Sequence, residues 1–324
     1  MDAIFIIQQT ILCAIPFLIV ALAGVFAERS GIINLALDGG MIFGAFVGAI
    51  TARLLIEGNR ALASSQWVYL LAMAVAALAG AIFSLLLSFS AIQLKADQTI
   101  GGTALNMLAP AIVCAFGLLF FNSEKIQTFS SFMILQPADS PLSVNNNGFL
   151  GLFFDRIYIS TYICIAIYIL LSIWLYKSKV GTHLRACGEH PQAAASVGIS
   201  VKKMRYLGTT ISGALAGFGG FVYIVMSAGS TAENTVGGVG FLALAIMIFG
   251  NWNPVWIALG SILFGFLKCI GPLSSSIPFL SNIGLPLYFY NIIPYFAVII
   301  VLILTRKKSG CPKAEGIPYE EGER

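Results

Sequence analysis

Charged side chains are scarce in this sequence. Only 10% of its 324 residues are Asp, Glu, Lys or Arg, and 58% are hydrophobic. An ordinary soluble domain carries about a quarter charged residues, so the composition excludes a soluble globule. The net charge of +4 is concentrated in a few segments, and we attribute it to membrane topology; we expect no nucleic-acid partner.

Residues that bind metals or form disulfides are also few. The chain has two histidines and six cysteines, and it has no C-x-x-C pair. His183 and His190 lack the surrounding Cys or Glu residues of a zinc site. We expect no metal, no cofactor and no disulfide. We interpret the cysteines within apolar runs as small packing residues: Cys13, Cys114, Cys164 and Cys269.

The sequence lacks the motifs of ATPases and of common enzymes. It contains no G-x-x-x-x-G-K-[ST], and its glycine-rich run "GALAGFGG", residues 213–220, has no following Lys and lies in an apolar segment. H-E-x-x-H and G-x-S-x-G are absent too. These absences argue against an intramembrane enzyme and against a chain that hydrolyses ATP itself.

Apolar runs of about 20 residues, long enough to cross roughly 30 Å of hydrocarbon as a helix, fill the chain. We predict an all-α, polytopic transmembrane bundle of eight to ten segments. The seventh run is too short to span alone and is bracketed by "GG" and "GNWNP", which predicts a broken or tilted helix. The nine candidate segments are residues 4–27, 35–52, 67–92, 100–121, 157–176, 206–227, 239–250, 255–271 and 287–305.

Basic residues predict the orientation, because they are retained on the cytoplasmic side of short loops. The segment 177–205 is rich in Lys and Arg and has Glu189 as its single acid, and the tail opens on Arg306, Lys307 and Lys308. We expect both to be cytoplasmic and the N-terminus to lie outside. The transmembrane domain is then residues 1–305, and 306–324 is a cytoplasmic tail, whose acidic end we expect to be solvated.

The polar segment 177–205 predicts a short helix. Pro191 suits a first helical turn, alanines follow it, and Gly198 is a suitable stop; Ser200 is then placed to cap the next helix. Topology and lipid headgroups are a sufficient reason for the charges. They do not explain a small alanine helix, which lacks bulk to pack itself but can fit a groove on another protein.

The motif G-E-x-P-x-A-A-x-x-x-G-I, residues 188–199, resembles the coupling loop of membrane subunits of ATP-binding cassette importers for simple sugars, nucleosides and branched-chain amino acids. Three further blocks agree, so the resemblance covers most of the chain: "ERSGIINLALDGGMIFGAFVGA" (28–49), "ADQTIGGTALNMLA" (96–109) and "GFLALAIMIFGNWNP" (240–254). The first two look most like nucleoside permeases. The first departs from that pattern at Asp38, where a Glu is expected.

The resemblance implies a permease subunit without a catalytic centre, working by alternating access in the bacterial cytoplasmic membrane. It implies a separate ATPase, a second permease subunit and an extracytoplasmic solute-binding lipoprotein. A heterodimer is expected, with a homodimer as alternative; nucleosides are the expected solute, with simple sugars such as ribose or galactose as alternative. The coupling residues that the motif carries are Gly188, Glu189, Pro191, Ala193, Ala194, Gly198 and Ile199.

Polar residues inside apolar segments are candidates for the solute route. Asn106 lies mid-segment, with Thr103 one turn before it and Pro110 expected to disrupt the helix. Two further groups stand at segment ends: Glu233 and Asn234, in a re-entrant or an exposed loop, and Glu28, Arg29, Asn34 and Asp38, which form a gate, a partner contact or a local salt bridge. The remaining alternative, a secondary transporter, would need intramembrane charges for ion coupling. Lys268 is nearly alone there, and we expect it to snorkel.

Overall fold

The computed structural model describes residues 3–59, 62, 65–128, 157–274, 286–305 and 310–320. In these ranges the chain is an all-α bundle, as predicted, with one two-stranded antiparallel sheet of β1 (Ile126–Gln127) and β2 (Thr231–Ala232). A π-helical turn, Phe89–Gln93, continues the third helix. The α-helices are α1 (Ala3–Arg29), α2 (Leu37–Gly58), α3 (Gln66–Ser88), α4 (Gln98–Phe121), α5 (Ile159–Lys177), α6 (Lys179–Glu189), α7 (Pro191–Ser196), α8 (Val201–Ser227), α9 (Val239–Phe249), α10 (Pro254–Leu273) and α11 (Leu287–Thr305).

Each of the nine predicted segments corresponds to a helix. Seven helices of the described residues are long and apolar enough to cross a membrane: α1, α2, α3 with its π-helical turn, α4, α5, α8 and α10. The seventh predicted segment is α9, whose 11 residues extend over only about 16 Å. It cannot cross the hydrocarbon alone, as its length in the sequence indicated.

Helices α1 and α8 form the centre of the bundle, and small residues let the other helices approach them. A Cβ on Gly44 of α2 would lie 2.2 Å from the Cα of Gly217 in α8, and a Cβ on Gly80 of α3 would lie 2.2 Å from the carbonyl oxygen of Gly213. Any side chain at these positions would separate the helices. The glycine-rich runs of the sequence therefore serve packing.

The two ends of the bundle are distinguishable by what lies there. At one end, α1 finishes, α6 and α7 lie, and residues 310–320 are bound; we call this the tail end. At the other end lies the β1–β2 sheet, and we call this the sheet end. Arg306, Lys307 and Lys308, which helped to predict the orientation, lie outside the described residues.

Three local expectations differ from the structure. Helix α4 continues through Pro110 to Phe121 instead of breaking there. Ser200 stands at the start of α8, but its side chain makes no capping hydrogen bond. Residues 179–189, for which the sequence indicates a loop, form helix α6. The hydroxyl of Ser178 accepts the N–H of Gly181 and so caps this helix.

The tail also differs from its expected solvated state. Tyr319 packs on a small cluster of Cys187, Ala194 and Val201, and Ala314 is buried. Tyr319, which lies between the tail's acids, contributes to this because it covers apolar surface at the tail end.

Candidate functional site

Two helices begin at the same place inside the bundle, α2 at Leu37 and α9 at Val239. Oδ1 of Asp38 accepts a 2.8 Å hydrogen bond from the N–H of Gly240. The preceding Gly238 offers α9 no side-chain cap, so Asp38 satisfies one of the N–H groups that a helix start leaves unpaired. A Cβ on Gly240 would lie 2.5 Å from the backbone of Asp38. Only glycine therefore permits this contact.

Helix α4 reaches the same place through Asn106. Its Oδ1 accepts the N–H of Gly39 at 2.7 Å, and its Nδ2 donates to the carbonyl of Leu35 at 2.7 Å. The side chain thus fastens α4 to the start of α2. An amide has two lone pairs and two N–H groups, so Asn106 retains capacity for a further partner. We call Asp38, Gly39, Asn106 and Gly240 the helix junction.

Residues 30–36, the α1–α2 link, lead from the tail end to the helix junction. The link is held by side chains: Nδ2 of Asn34 donates to the hydroxyl of Ser212 at 2.8 Å, and Oε1 of Gln98 accepts the N–H of Ile33 at 2.7 Å. Asn34 and Gln98 are buried. Oδ1 of Asn34 also accepts the N–H of Ala36 at 3.1 Å. Non-helical backbone at membrane depth is tolerated only where protein satisfies it, and Asn34 and Gln98 each satisfy one N–H of the link.

The helix junction lies at about half the depth of the bundle. Helix α9 runs from the junction to the tail end, where its neighbour Asn251 is bonded to Gly310. Its length of about 16 Å is half of a 30 Å hydrocarbon layer. Thr103, one turn before Asn106, is exposed, and its hydroxyl donates within α4 to the carbonyls of Thr99 or Ile100. Besides the carboxyl of Asp38, an amide and a hydroxyl side chain therefore lie at this depth.

Glu28 acts at the tail end and not in a local salt bridge. Its Oε2 accepts the indole N–H of Trp252 at 2.6 Å, which joins α1 to the turn between α9 and α10. Asn251 and Trp252 have φ values of 52° and 56°, a left-handed conformation that costs about 1–2 kcal/mol per residue. The hydrogen bond to Glu28 holds this strained turn in place.

Glu233 and Asn234 lie at the sheet end. Glu233 forms a 2.7 Å ion pair with Lys125, and Asn234 is exposed in the loop between β2 and α9. They are not bonded to the helix junction. Lys268 lies 5.6 Å from the centre of the Tyr295 ring and lines a cavity of about 60 Å³ together with Cys13 and Asn291. The hydroxyl of Tyr295 is bonded to the carbonyl of Gly237, near the sheet end, so the position of the ammonium is compatible with the expected snorkelling.

The predicted coupling residues lie at the end of α6, in α7 and directly after α7. A Cβ on Gly188 would lie 2.4 Å from the carbonyl oxygen of Arg29, and Glu189 pairs with Arg29 at 3.4 Å. Both contacts bind residues 188–199, which we call the coupling segment, to α1. Pro191 begins α7, and Gly198, with φ of +85°, ends it in a conformation that favours glycine.

The residues of α7, and those directly after its end, divide into an inner and an outer set. Ala194 faces inward and is only 4% exposed, whereas Ala193 is exposed, Ile199 is half-buried, and Val197 is 75% exposed. Sequence reasoning missed Val197. An apolar residue directly before the stop glycine was the available signal, since a short solvated helix has no need of a large apolar tip.

Sequence reasoning also missed Arg205 and the tail. Arg205 is only 1% exposed, and its Nη1 donates to the carbonyl of Ile317 at 2.9 Å. Burial raises the pKa of the Cys187 thiol to about 11 and raises the pKa of the Glu315 carboxyl, which lies near Glu28 and Arg29. A run of apolar residues within the acidic tail was the signal.

Among the described residues no cluster of His, Cys, Asp or Glu could hold a metal ion.

Comparison with known proteins identifies the class. Residues 6–303 match the family described as branched-chain amino acid transport system / permease component, and the chain belongs to this family of membrane permeases.

Relatives extend over nearly the whole chain. It is 36% identical to the guanosine ABC transporter permease protein NupQ of Bacillus subtilis, over 98% of this chain and 97% of that protein. It is 34% identical to the nucleoside ABC transporter permease protein NupC of Lactococcus lactis, over 97% and 96%. The putative glucose ABC transporter permease protein TsgC13 of Haloferax volcanii is 27% identical over 87% and 81%. No solved structure matches the chain.

Proposed function

We propose that the chain is the permease subunit of an ATP-driven nucleoside importer. The observation that carries this is the similarity along nearly the full length to two permeases whose names specify guanosine and nucleosides. Asn106 and Thr103 at the helix junction support it, because a neutral, hydrogen-bonding solute needs amide and hydroxyl partners. Simple sugars are the second candidate, favoured by the more distant glucose permease relative.

The solute route runs past the helix junction. Asn106, with its remaining hydrogen-bonding capacity, and the exposed Thr103 one turn before it are the proposed solute partners. Glu233 and Asn234 stand at the sheet end, where solute enters from the binding lipoprotein. The gate consists of Asp38, Asn34 and Glu28. Asp38 joins α2 to the start of α9, Asn34 joins the α1–α2 link to α8, and Glu28 joins α1 to the turn after α9. These contacts must change if α9 moves away from α2.

A separate ATPase subunit drives the cycle through α7. Its outer residues, Ala193 and Val197, enter a groove of the ATPase, while Ala194 packs α7 on the permease itself. Gly188 and Glu189 then transmit the motion to α1 through their contacts with Arg29. The tail end is cytoplasmic, the N-terminus lies outside, and a second, related permease subunit completes the route.

Competition of solutes tests the proposed selectivity. The complex of permease, ATPase and binding lipoprotein is reconstituted, and uptake of a radiolabelled nucleoside is measured with excess unlabelled nucleosides, ribose or glucose. We expect nucleosides to compete and both sugars to leave uptake unchanged. Saturable ribose or glucose uptake without nucleoside uptake would instead assign the chain to the sugar permeases.

A further inference from the structure

Besides the contacts of Gly310 with Asn251 and of Glu320 with Lys95, the C-terminal tail, residues 310–320, is bonded to three further parts of the permease. The N–H of Ala314 donates to the carbonyl of Gly188, in the coupling segment, at 2.9 Å. The N–H of Gly316 donates to the carbonyl of Gly31, in the α1–α2 link, at 3.3 Å. The carbonyl of Ile317 accepts from Arg205, at the start of α8. One short segment thus joins the coupling segment, the link and a central helix.

The α1–α2 link ends at the helix junction. Asn34 and Leu35 in the link bond to Ser212 and Asn106, and Asp38 follows within the next turn. Gly188 is therefore connected to the helix junction by hydrogen bonds that run through the tail and the link. The direct path from α6 combines two contacts: Gly188 packs on the backbone of Arg29 and Gly31, and Glu189 pairs with Arg29. This ion pair is 41% and 16% exposed and hence weak, so the hydrogen bonds of the tail reinforce a direct connection that consists mainly of packing.

We propose that the tail is a coupling strut: it transmits the movement of α6 and α7 to the α1–α2 link and so to the gate. This inference rests on the proposed function. Two features support it besides the hydrogen bonds. Arg205 is almost fully buried, and Ile317 of the tail supplies its acceptor. Tyr319 packs on Cys187 and Ala194, so the tail also covers the inner face of α7.

Two tail variants separate coupling from stability. Ala314→Pro removes the N–H that bonds Gly188. Gly316→Val acts at the link, because a Cβ at this position, where φ is +75°, would lie 2.8 Å from the side chain of Ile33. Lys313→Val is the matched control, since it adds the same side chain at an exposed tail position.

Three quantities are measured on each purified complex: the ATPase copurified, its basal ATP hydrolysis and ATP-driven nucleoside uptake per assembled complex. For both tail variants we expect assembly and basal hydrolysis as in the unchanged protein, with uptake reduced about tenfold. Lys313→Val should match the unchanged protein in all three. Normal uptake in the tail variants, or a loss of uptake only in proportion to lost assembly, would overturn the proposal.

A second readout does not depend on the solute. In Leu35→Cys the maleimide labelling of the peptide that contains position 35 is compared with and without ATP, and mass spectrometry separates this peptide from those of the six native cysteines. We expect ATP to change this reactivity when the tail is unchanged and to have no effect on it in the background of Ala314→Pro. An equal ATP response in both backgrounds would overturn the strut. Absence of nucleoside uptake by the unchanged complex would refute the nucleoside assignment and leave this second comparison valid.

Discussion

At the residue scale, the polar side chains of the interior act by bonding to backbone groups of other helices. Asp38 bonds to the start of α9, Asn106 to both sides of the start of α2, and Gln98 to the α1–α2 link. Each side chain satisfies backbone that regular structure leaves unpaired. The same bonds must break or reform if α2, α4 and α9 change their relative positions.

Asn106→Leu tests the helix junction. The change leaves the N–H of Gly39 and the carbonyl of Leu35 unpaired, at about 1–3 kcal/mol for each group. We expect nucleoside uptake at least tenfold slower, a lower melting temperature, and insertion and ATPase assembly near normal. Uptake in vesicles at matched protein levels measures this, with Lys268→Met as the control of little effect. Normal uptake for Asn106→Leu with a collapse for Lys268→Met would contradict the assignment of the route.

Asp38 offers a substitution series with opposite expectations. Asp38→Asn keeps an oxygen that can accept the N–H of Gly240, whereas Asp38→Ala removes the cap of α9, worth about 0.5–2 kcal/mol. We expect Asp38→Asn to retain most of the uptake rate and Asp38→Ala to lose most of it. If the two variants had equal uptake rates, the hydrogen bond to α9 would have no part in transport.

At the scale of elements, the helices could be predicted and the helix junction could not. Runs of apolar residues long enough for the hydrocarbon identify the seven long apolar helices of the described residues, and the shortness of 239–250 identifies α9 as partial. The bond between Asp38 and Gly240 joins positions 202 apart in the sequence, and no local pattern specifies such a contact. Similarly, charge predicted Arg205 to face the cytoplasm, but only packing shows it buried beneath the tail.

Val197 tests helix α7 as the docking element. Val197→Asp places a charge in the contact with the ATPase, where an unpaired charge is strongly unfavourable. We expect the permease to insert normally and the copurified ATPase to fall sharply. Val180→Asp, an identical change at an exposed apolar position of α6, is the control and should leave assembly unchanged. Equal copurification in the two variants would exclude α7 as the docking element.

Docking of the tail should depend on pH through Glu315. Burial raises the pKa of Glu315 above its value in a free tail, and Glu28, Arg29 and Cys311 lie around it. A carboxyl whose pKa is raised on docking contributes full stability below its free pKa and loses it as pH rises through the docked pKa. We therefore expect the tail to become more mobile with rising pH, and Glu315→Gln to remove this dependence.

The mobility of a nitroxide amino acid incorporated at the exposed position 313 measures docking without adding a titratable group. A pH response that persists unchanged in Glu315→Gln would show that another group controls the tail.

At the scale of the whole molecule, the chain combines a buried centre with a less buried periphery. In the most apolar 18-residue stretch of α1, 89% of the residues are buried, whereas in that of α4 only 22% are buried. The apolar outer face of α4, which includes Ile100 and Met107, can contact lipid or the second permease subunit. The tail end and the sheet end present different chemistry to the two sides of the membrane. Such a molecule suits a subunit whose energy source and solute supply are separate proteins.

ATP-driven accumulation of a nucleoside in proteoliposomes tests the central claim most directly. The permease is reconstituted with its second permease subunit, the ATPase and the binding lipoprotein, and internal radiolabelled nucleoside is measured over time with an active or a hydrolysis-deficient ATPase. The account predicts that the nucleoside accumulates above its external concentration in the complex with the active ATPase, and that it does not do so in the complex with the hydrolysis-deficient ATPase. Uptake that only equalises the two concentrations, or that proceeds equally with the inactive ATPase, would contradict it.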